Sequence, residues 1–492
     1  MKRITTVLVT IVLTSTLFSQ ERLTIEQCRK MALEHNKSLL ISQEKIKVAT
    51  ELKKAAFTQF LPNFSANATY FWNEKNLSLL HEDGLLPIGT KMADGSFGFR
   101  QDQVKNQWIQ VSPGNYAPLD SDGKPFDPKV NPEKIIWKDY ALLPKEAMEF
   151  ETKHVFAGGI GFMQPIFLGG KIRELYNIAK SGEKLAEAQH EDELNTLLLE
   201  VDEAYWRVVS IYNKKKLAEE YCKLLKKLEK NVENMIEEGV ATKGDALRVK
   251  VKLNEAEMSL TKADNGLKLS KMALCQLCGI ELQQDVELAD NDLSQKEIAE
   301  PVFDINAVWA ARPEMKSLEQ LNKMAASNVK IMASRFMPNV ALTGNYIVSN
   351  PNSFNGYSNS FAGMFTVGVV LNVPIFHFGD KVHTLRAAKS QQKIVSYKIE
   401  EAKEKIQLQV TQAGFKISEA NKKNAAALKN MEKADENLRF ANEAFDAGVI
   451  TSSDLMEAQT AWLSANSERI DAGIEVRLCE LYLNKAKGKM VQ

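Results

Sequence analysis

Two long stretches of the chain carry apolar residues at alternating spacings of three and four. Leu225, Leu228, Val232 and Met235 mark the first, and Leu428, Met431, Ala434, Leu438, Ala441 and Phe445 the second. This spacing puts one apolar stripe on a helix and predicts coiled-coil-like packing. No proline interrupts Lys171 to Glu238 or Lys381 to Ala447, and the only glycines inside are Gly182 and Gly414. Helices of that length reach roughly 100 Å at about 1.5 Å per residue. Elsewhere the period is two. In FSANATYFWN, Phe64, Ala66, Ala68, Tyr70 and Trp72 oppose Ser65, Asn67, Thr69, Phe71 and Asn73. NVALTGNYIV sets Val340, Leu342, Tyr346 and Val348 against Ala341, Thr343 and Asn345, and TVGVVLNV sets Val367, Val369, Leu371 and Val373 against Thr366, Gly368 and Asn372. AGGIGFMQPIF supplies a weaker fourth strand signal. Such strands fit a lipid-facing, water-lined barrel. They fit a half-buried antiparallel sheet equally well. The helices tip the balance: two such rods suit a tunnel across a periplasm better than a compact domain.

The pattern occurs twice. GVATKGD, from Gly239, returns as GVITSSD, from Gly448, an offset of 209. The same offset carries Pro165-Ile166-Phe167 onto Pro374-Ile375-Phe376, Gly170 onto Gly379, and Thr242 and Asp245 onto Thr451 and Asp454. Upstream, an offset of 276 places Phe60, Pro62, Asn63 and Tyr70 on Phe336, Pro338, Asn339 and Tyr346. The difference of 67 is extra sequence in the first copy, within residues 75–155. The expected organisation is a first repeat over 20–280, a linker over 281–304 and a second repeat over 305–492. Strands are expected near 64–74, 156–167, 339–349 and 365–376, with turns at 239–245 and 446–454. The 75–155 insertion is rich in turn residues, with Trp108 and Trp137 among its aromatics, and reads as an ordered loop or small cap.

Residues 1–19 read as a secretory signal, with Lys2 and Arg3 before an apolar run and Ser19 at the cut. No later stretch reaches the roughly 18–20 apolar residues of a spanning helix. Cys28 lies too far from the apolar run to carry a lipid. Lys plus Arg and Asp plus Glu are both 63, so no net charge argues for nucleic acid. Cys275-x-x-Cys278 reads as two small apolar residues on a helical face, since neighbours at i, i+3 make a poor disulfide and no second pair completes a zinc site. The motifs of hydrolases, nucleotide-binding proteins and zinc proteases are missing. The expectation is a protein that is not an enzyme and uses no metal or cofactor.

The residues resemble the TolC-type outer-membrane efflux family. LTIEQCRKMALEHNKSLLISQEKIKVATELKKAAFTQFLPNFSANATY looks like that family's first helix and strand, and ARPEMKSLEQ…FMPNVALTGNY is similar to the entry to its second half. GVATKGDALRVKVKLNEAE and AGVITSSDLMEAQTAWLSAN resemble its two helix–turn–helix tips. The resemblance implies a mainly α chain with a transmembrane β-barrel, in which four strands per chain close a twelve-stranded barrel in a homotrimer above a helical tunnel. It further implies outer-membrane lipid around the barrel, a periplasmic adaptor protein and an inner-membrane transporter as partners, and small-molecule efflux as the function. The need to oligomerise follows independently, because four strands are fewer than the smallest outer-membrane barrel holds and open edges are not tolerated in lipid.

The tips are the candidate site. Gly239 and Gly448 fit the left-handed position past a long helix, and Thr242 and Thr451 fit N-caps with Asp245 and Asp454 three residues on. Capping accounts for Asp245. Asp454 and Glu457, at i, i+3, share one helical face. The resemblance assigns acidic residues there, with Phe445 nearby, to a periplasmic gate and selectivity ring. Two departures stand out: Phe445 replaces a tyrosine and Ile450 an arginine, so polar links proposed for that gate do not carry over. Lys243 is a weaker candidate to pair with Asp454 or Asp446. Tip residues Gly239, Thr242, Lys243, Asp245, Gly448 and Thr451 are the expected adaptor contact. Exit duct for type I protein secretion is one alternative, and a secreted coiled-coil scaffold or adhesin is another of a different class.

Overall fold

The structure is a computed structural model and describes residues 22–87, 90–91, 93, 97–98, 102, 104–127, 134, 140–290, 298–299, 302–354 and 356–490. The expected signal at 1–19, Trp137 and part of the 281–304 linker lie outside the described residues. Two compact units divide the chain.

The first unit is helical and draws on residues 1–59, 168–338 and 374–492. Its helices are α1 (Ile25–His35), α2 (Lys37–Thr58), α3 (Lys171–Glu237), α4 (Lys243–Cys278), α5 (Ile305–Ala311), α6 (Pro313–Ser334), α7 (Asp380–Asp446) and α8 (Ser452–Ala486). Both α3 and α7 run for 67 residues. Each starts behind a left-handed glycine, Gly170 at φ 84° and Gly379 at φ 86°. Few β-branched residues and one internal glycine apiece leave nothing to break them. α3 folds back on α4 and α7 on α8, while α2 packs on α3, and α6 on both α3 and α7. Of the stripe residues in α3, Leu225, Leu228 and Val232 are buried. One core joins α1, α3 and α4 around Cys28, Val201, Tyr205 and Leu274, and another joins α5 to α8 around Val410, Ile417 and Val476. Within 281–290, Leu288 bridges in parallel to Leu23, which brings this segment beside α1.

The second unit, 60–167 with 339–373, is built of strands. They are β1 (Asn63–Trp72), β2 (Leu77–Ser78), β3 (Gly84–Pro87), β4 (Thr90–Lys91), β5 (Phe97–Gly98), β6 (Trp108–Ser112), β7 (Asn115–Pro118), β8 (Tyr140–Leu143), β9 (Glu149–Phe150), β10 (His154–Leu168), β11 (Asn339–Asn350) and β12 (Ala362–Asn372). Four form one sheet in the order β1-β10-β11-β12. β1 pairs antiparallel with β10 from Asn63 opposite Met163 to Trp72 opposite His154. β11 pairs with β12 from Asn339 opposite Asn372 to Ser349 opposite Ala362. Among the described residues β1 and β12 each have one neighbour, so both outer edges are open there. Apolar side chains such as Phe64, Trp72, Val369 and Leu371 are more than half exposed. The sheet is not a finished object in one chain.

The fourth strand stops short of the expected 365–376. It ends at Asn372, opposite the first residue of β11, so Pro374, Ile375 and Phe376 have nothing left to pair with, and proline brings no N–H of its own. Their repeat mates Pro165, Ile166 and Phe167 lie inside β10. The same tripeptide lies within a strand in one copy and beyond the strand end in the other.

The described part of the 75–155 insertion is a chain of β-ribbons. β2 pairs with β9 and β3 with β8, prolonging the β1–β10 hairpin, while β4 pairs with β5 and β6 with β7. The loop after β11 clamps its base. Tyr357 donates its hydroxyl to the Glu151 carbonyl, Asn359 donates to the Glu151 carboxylate at 2.7 Å, and the Phe150 and Tyr357 rings meet edge-on at 4.6 Å.

Candidate functional site at the hairpin tips

Both helical hairpins turn by the same local chemistry. At the end of α3, the Gly239 N–H donates to Ile236 at 3.0 Å and the Val240 N–H to Met235 at 2.9 Å. At the end of α7, Gly448 donates to Phe445 and Val449 to Ala444, both at 2.9 Å. These are paired Schellman closures, and they need the left-handed φ of 80° at Gly239 and 71° at Gly448. Val240 and Val449, next in the chain, are exposed.

The following helices open with matched capping boxes. Thr242 accepts from the Asp245 N–H at 3.3 Å, while the Asp245 carboxylate accepts from the Thr242 N–H at 3.0 Å and hydroxyl at 2.6 Å. Thr451 accepts from the Asp454 N–H at 3.3 Å, and Asp454 accepts from the Thr451 N–H at 2.9 Å and hydroxyl at 2.7 Å. Hydrogen bonds from Thr242, first from its hydroxyl, hold Asp245 below the ordinary aspartate pKa, and the nearby Arg248 adds to this. The Thr451 N–H and then its hydroxyl do the same for Asp454. Both carboxylates are capping groups with a retained charge.

The two tips differ in what balances that charge. Arg248 lies one turn beyond Asp245, with its guanidinium 3.9 Å from the carboxylate. The residue at the matching place after Asp454, offset by 209, is Glu457. Asp454 and Glu457 are both exposed on the first turns of α8, and no ion pair reaches either among the described residues. One hairpin therefore carries a compensated pair, and the other an uncompensated pair of acids.

Phe445 is not on that exposed face. It is 5 % exposed and packs with Leu228, Val232, Ala246, Val249, Leu438 and Leu455 in a core that joins both hairpin ends. Ile450 is partly buried against the same core. The two departures from the TolC-type pattern thus supply apolar packing where that pattern has polar groups. Lys243 forms no ion pair with Asp454 or Asp446 among the described residues. Near the tips a polar link between the hairpins runs instead from Arg248 Nη1, which donates to Ser453 Oγ at 3.3 Å. Sequence reasoning missed this contact. The i, i+3 relation of Asp245 to Arg248 was visible, but Ser453 is 205 residues away.

A family model described as "outer membrane efflux protein" matches residues 146–280 and 305–488, which include both tips and leave most of the insertion unmatched. Protein CyaE of Bordetella pertussis is 22 % identical over 260 residues, a match that spans 51 % of this chain and 53 % of that protein. The fold is similar to the outer-membrane channel OprN, with a TM-score of 0.71 and 16 % identity over 94 % of this chain and 90 % of the other. It is similar too to the CmeC outer membrane channel of Campylobacter jejuni, with a TM-score of 0.69, 16 % identity and coverage of 95 % and 86 %. The open state of the MtrE outer membrane channel of Neisseria gonorrhoeae gives a TM-score of 0.68 and 18 % identity over 94 % and 88 %.

Proposed function

This chain belongs to the outer membrane efflux protein family, and on that footing we propose that it is the exit duct of a tripartite efflux pump, passing small molecules from periplasm to exterior. Three copies close the barrel. The open edges of β1 and β12 and the exposed apolar strand residues support this, since lipid tolerates neither an unpaired edge nor a half-finished sheet. The helical hairpins form the periplasmic tunnel. Their tips, with Val240 and Val449 exposed, receive an adaptor protein that joins the duct to an inner-membrane transporter.

Within that reading the tips are also the entrance, and the carrying observation is the broken charge balance of the repeat. Asp245 has Arg248, but Asp454 has Glu457. Three chains bring six carboxylates to one constriction, which attracts cations. Exposed charges are screened over about 8 Å at physiological salt, and a narrow protein-walled ring is screened less. Asp454 caps α8, so replacing it with alanine would confuse a lost cap with a lost charge. Asp454→Asn with Glu457→Gln removes the charge and keeps an oxygen for Thr451. In planar bilayers this double variant should lose cation preference and resist block by polyvalent cations from the periplasmic side, while still assembling. Unchanged selectivity and block would reduce these carboxylates to helix-capping and surface groups.

A further inference from the structure

The N-terminal helix is held against the far end of α4 by closely fitted contacts. Arg29 grips the fully buried Asp202 of α3 through two hydrogen bonds of 2.7 Å. Asn36 donates to the Leu277 carbonyl at 3.0 Å. Gly279, closing α4 at φ 70°, sits so near His35 that an added Cβ would lie 2.6 Å from the His35 Cβ. Inside this junction Cys28 and Cys278 face each other. They are 250 residues apart in sequence, 0 % and 1 % exposed, and members of one core. Cys278 Sγ donates to the Cys28 carbonyl oxygen at 3.6 Å, which sets the two residues directly against one another.

We propose that Cys28 and Cys278 are joined by a disulfide in the mature protein, which staples α1 to the end of α4. Both are free thiols in this structure. The other cysteines are placed elsewhere. Cys275 directs its thiol to the Gln284 carbonyl at 3.7 Å, Cys222 lies in a core of α3, α4 and α8, and Cys479 in that of α5 to α8. A protein of the outer membrane passes through a compartment where disulfides form and persist. The oxidant is an exported protein disulfide of the thiol-exchange class. A thiolate of the pair attacks that disulfide, forming a mixed disulfide and releasing one oxidant thiolate. The second cysteine thiolate then attacks the sulfur of its partner, releasing the other oxidant thiolate, and the two protons lost by the cysteines end on the reduced oxidant. Burial of both sulfurs means the exchange is complete before α1 docks, and the finished bond is then sealed from reductant.

The test starts from full-length protein taken from cell envelopes under thiol-blocking conditions, denatured and alkylated. Of the five cysteines, three should be alkylated before reduction and all five after it, and digestion should yield a linked pair of peptides holding Cys28 and Cys278. Alkylation of all five without reduction, or a link that uses Cys275 in place of either partner, overturns the proposal. Cys28→Ser, Cys278→Ser and the double variant supply a second readout. Each single variant should lose as much heat resistance as the double. Reductant present during unfolding should bring the unsubstituted protein down to the same level and leave the variants unchanged. Additive losses with no response to reductant would show packing alone. If no variant folds, the peptide linkage in the unsubstituted protein still decides.

Discussion

Gly239, Gly279 and Gly448 share one backbone task and differ in their surroundings. All end a helix in the left-handed region, at φ 80°, 70° and 71°. An added Cβ at Gly239 or Gly448 meets nothing within 4 Å, whereas at Gly279 it collides with His35. Gly448→Ala should therefore cost only the backbone penalty, roughly 1 kcal/mol. Gly279→Ala should add overpacking strain of about 1–3 kcal/mol, because α1 must shift. Thermal unfolding of the detergent-solubilised protein compares them: the midpoint should fall further for Gly279→Ala, and equal falls would mean that α1 yields without resistance. The capping residues follow the same division. Thr242, Asp245, Thr451 and Asp454 were legible in sequence because a cap depends on residues three apart. Whether a capping carboxylate keeps a free charge depends on what lies a turn further on, and there Arg248 and Glu457 part company.

At the scale of the element, the stripe of threes and fours predicts a helix but not which of its faces are covered within one chain. In α3 the stripe is interior, with Leu225 fully buried between Tyr221, Cys222, Leu253 and Ala256. Leu225→Ala should cost about 2–5 kcal/mol through lost burial and a cavity in a shell with little freedom to collapse. A shift in the unfolding midpoint of the assembled protein measures it, and a neutral outcome would contradict the packing seen here. On α7, Leu408, Phe415 and Phe440 are just as apolar and are 68 %, 74 % and 54 % exposed. Periodicity alone cannot separate the two cases. In the trimer proposed above, apolar residues on a helix serve neighbours outside its own chain as well as inside it.

For the whole molecule, most of the insertion lies outside the residues that the family model matches. It prolongs the β1–β10 hairpin as ribbons, and the loop after β11 ties to its base through Glu151 and Phe150. Outer-membrane barrels keep long loops outside and short turns on the periplasmic side, and on that ground we propose that these ribbons lie at the cell exterior. Ser121 is exposed on a turn anchored by Asp120, whose carboxylate accepts from the Asp122 N–H at 2.8 Å and the Lys124 N–H at 3.0 Å. A tag inserted beside Ser121 should bind antibody on intact cells. Binding only after the outer membrane is permeabilised would reverse the topology.

By itself the sequence determined what is local or periodic: the long helices, the alternating strands, the doubled turn, the left-handed glycines and the capping threonines. Each rests on residues within a few positions of one another or on a spacing repeated along one element. Tertiary structure alone decided that Phe445 turns inward to the core joining the hairpins, that Arg248 reaches Ser453, that β12 stops before Pro374, and that Cys28 meets Cys278. The physical reason is the same in each case. These outcomes depend on which distant surface comes to lie alongside, and a local period specifies that a face is apolar without specifying its neighbour.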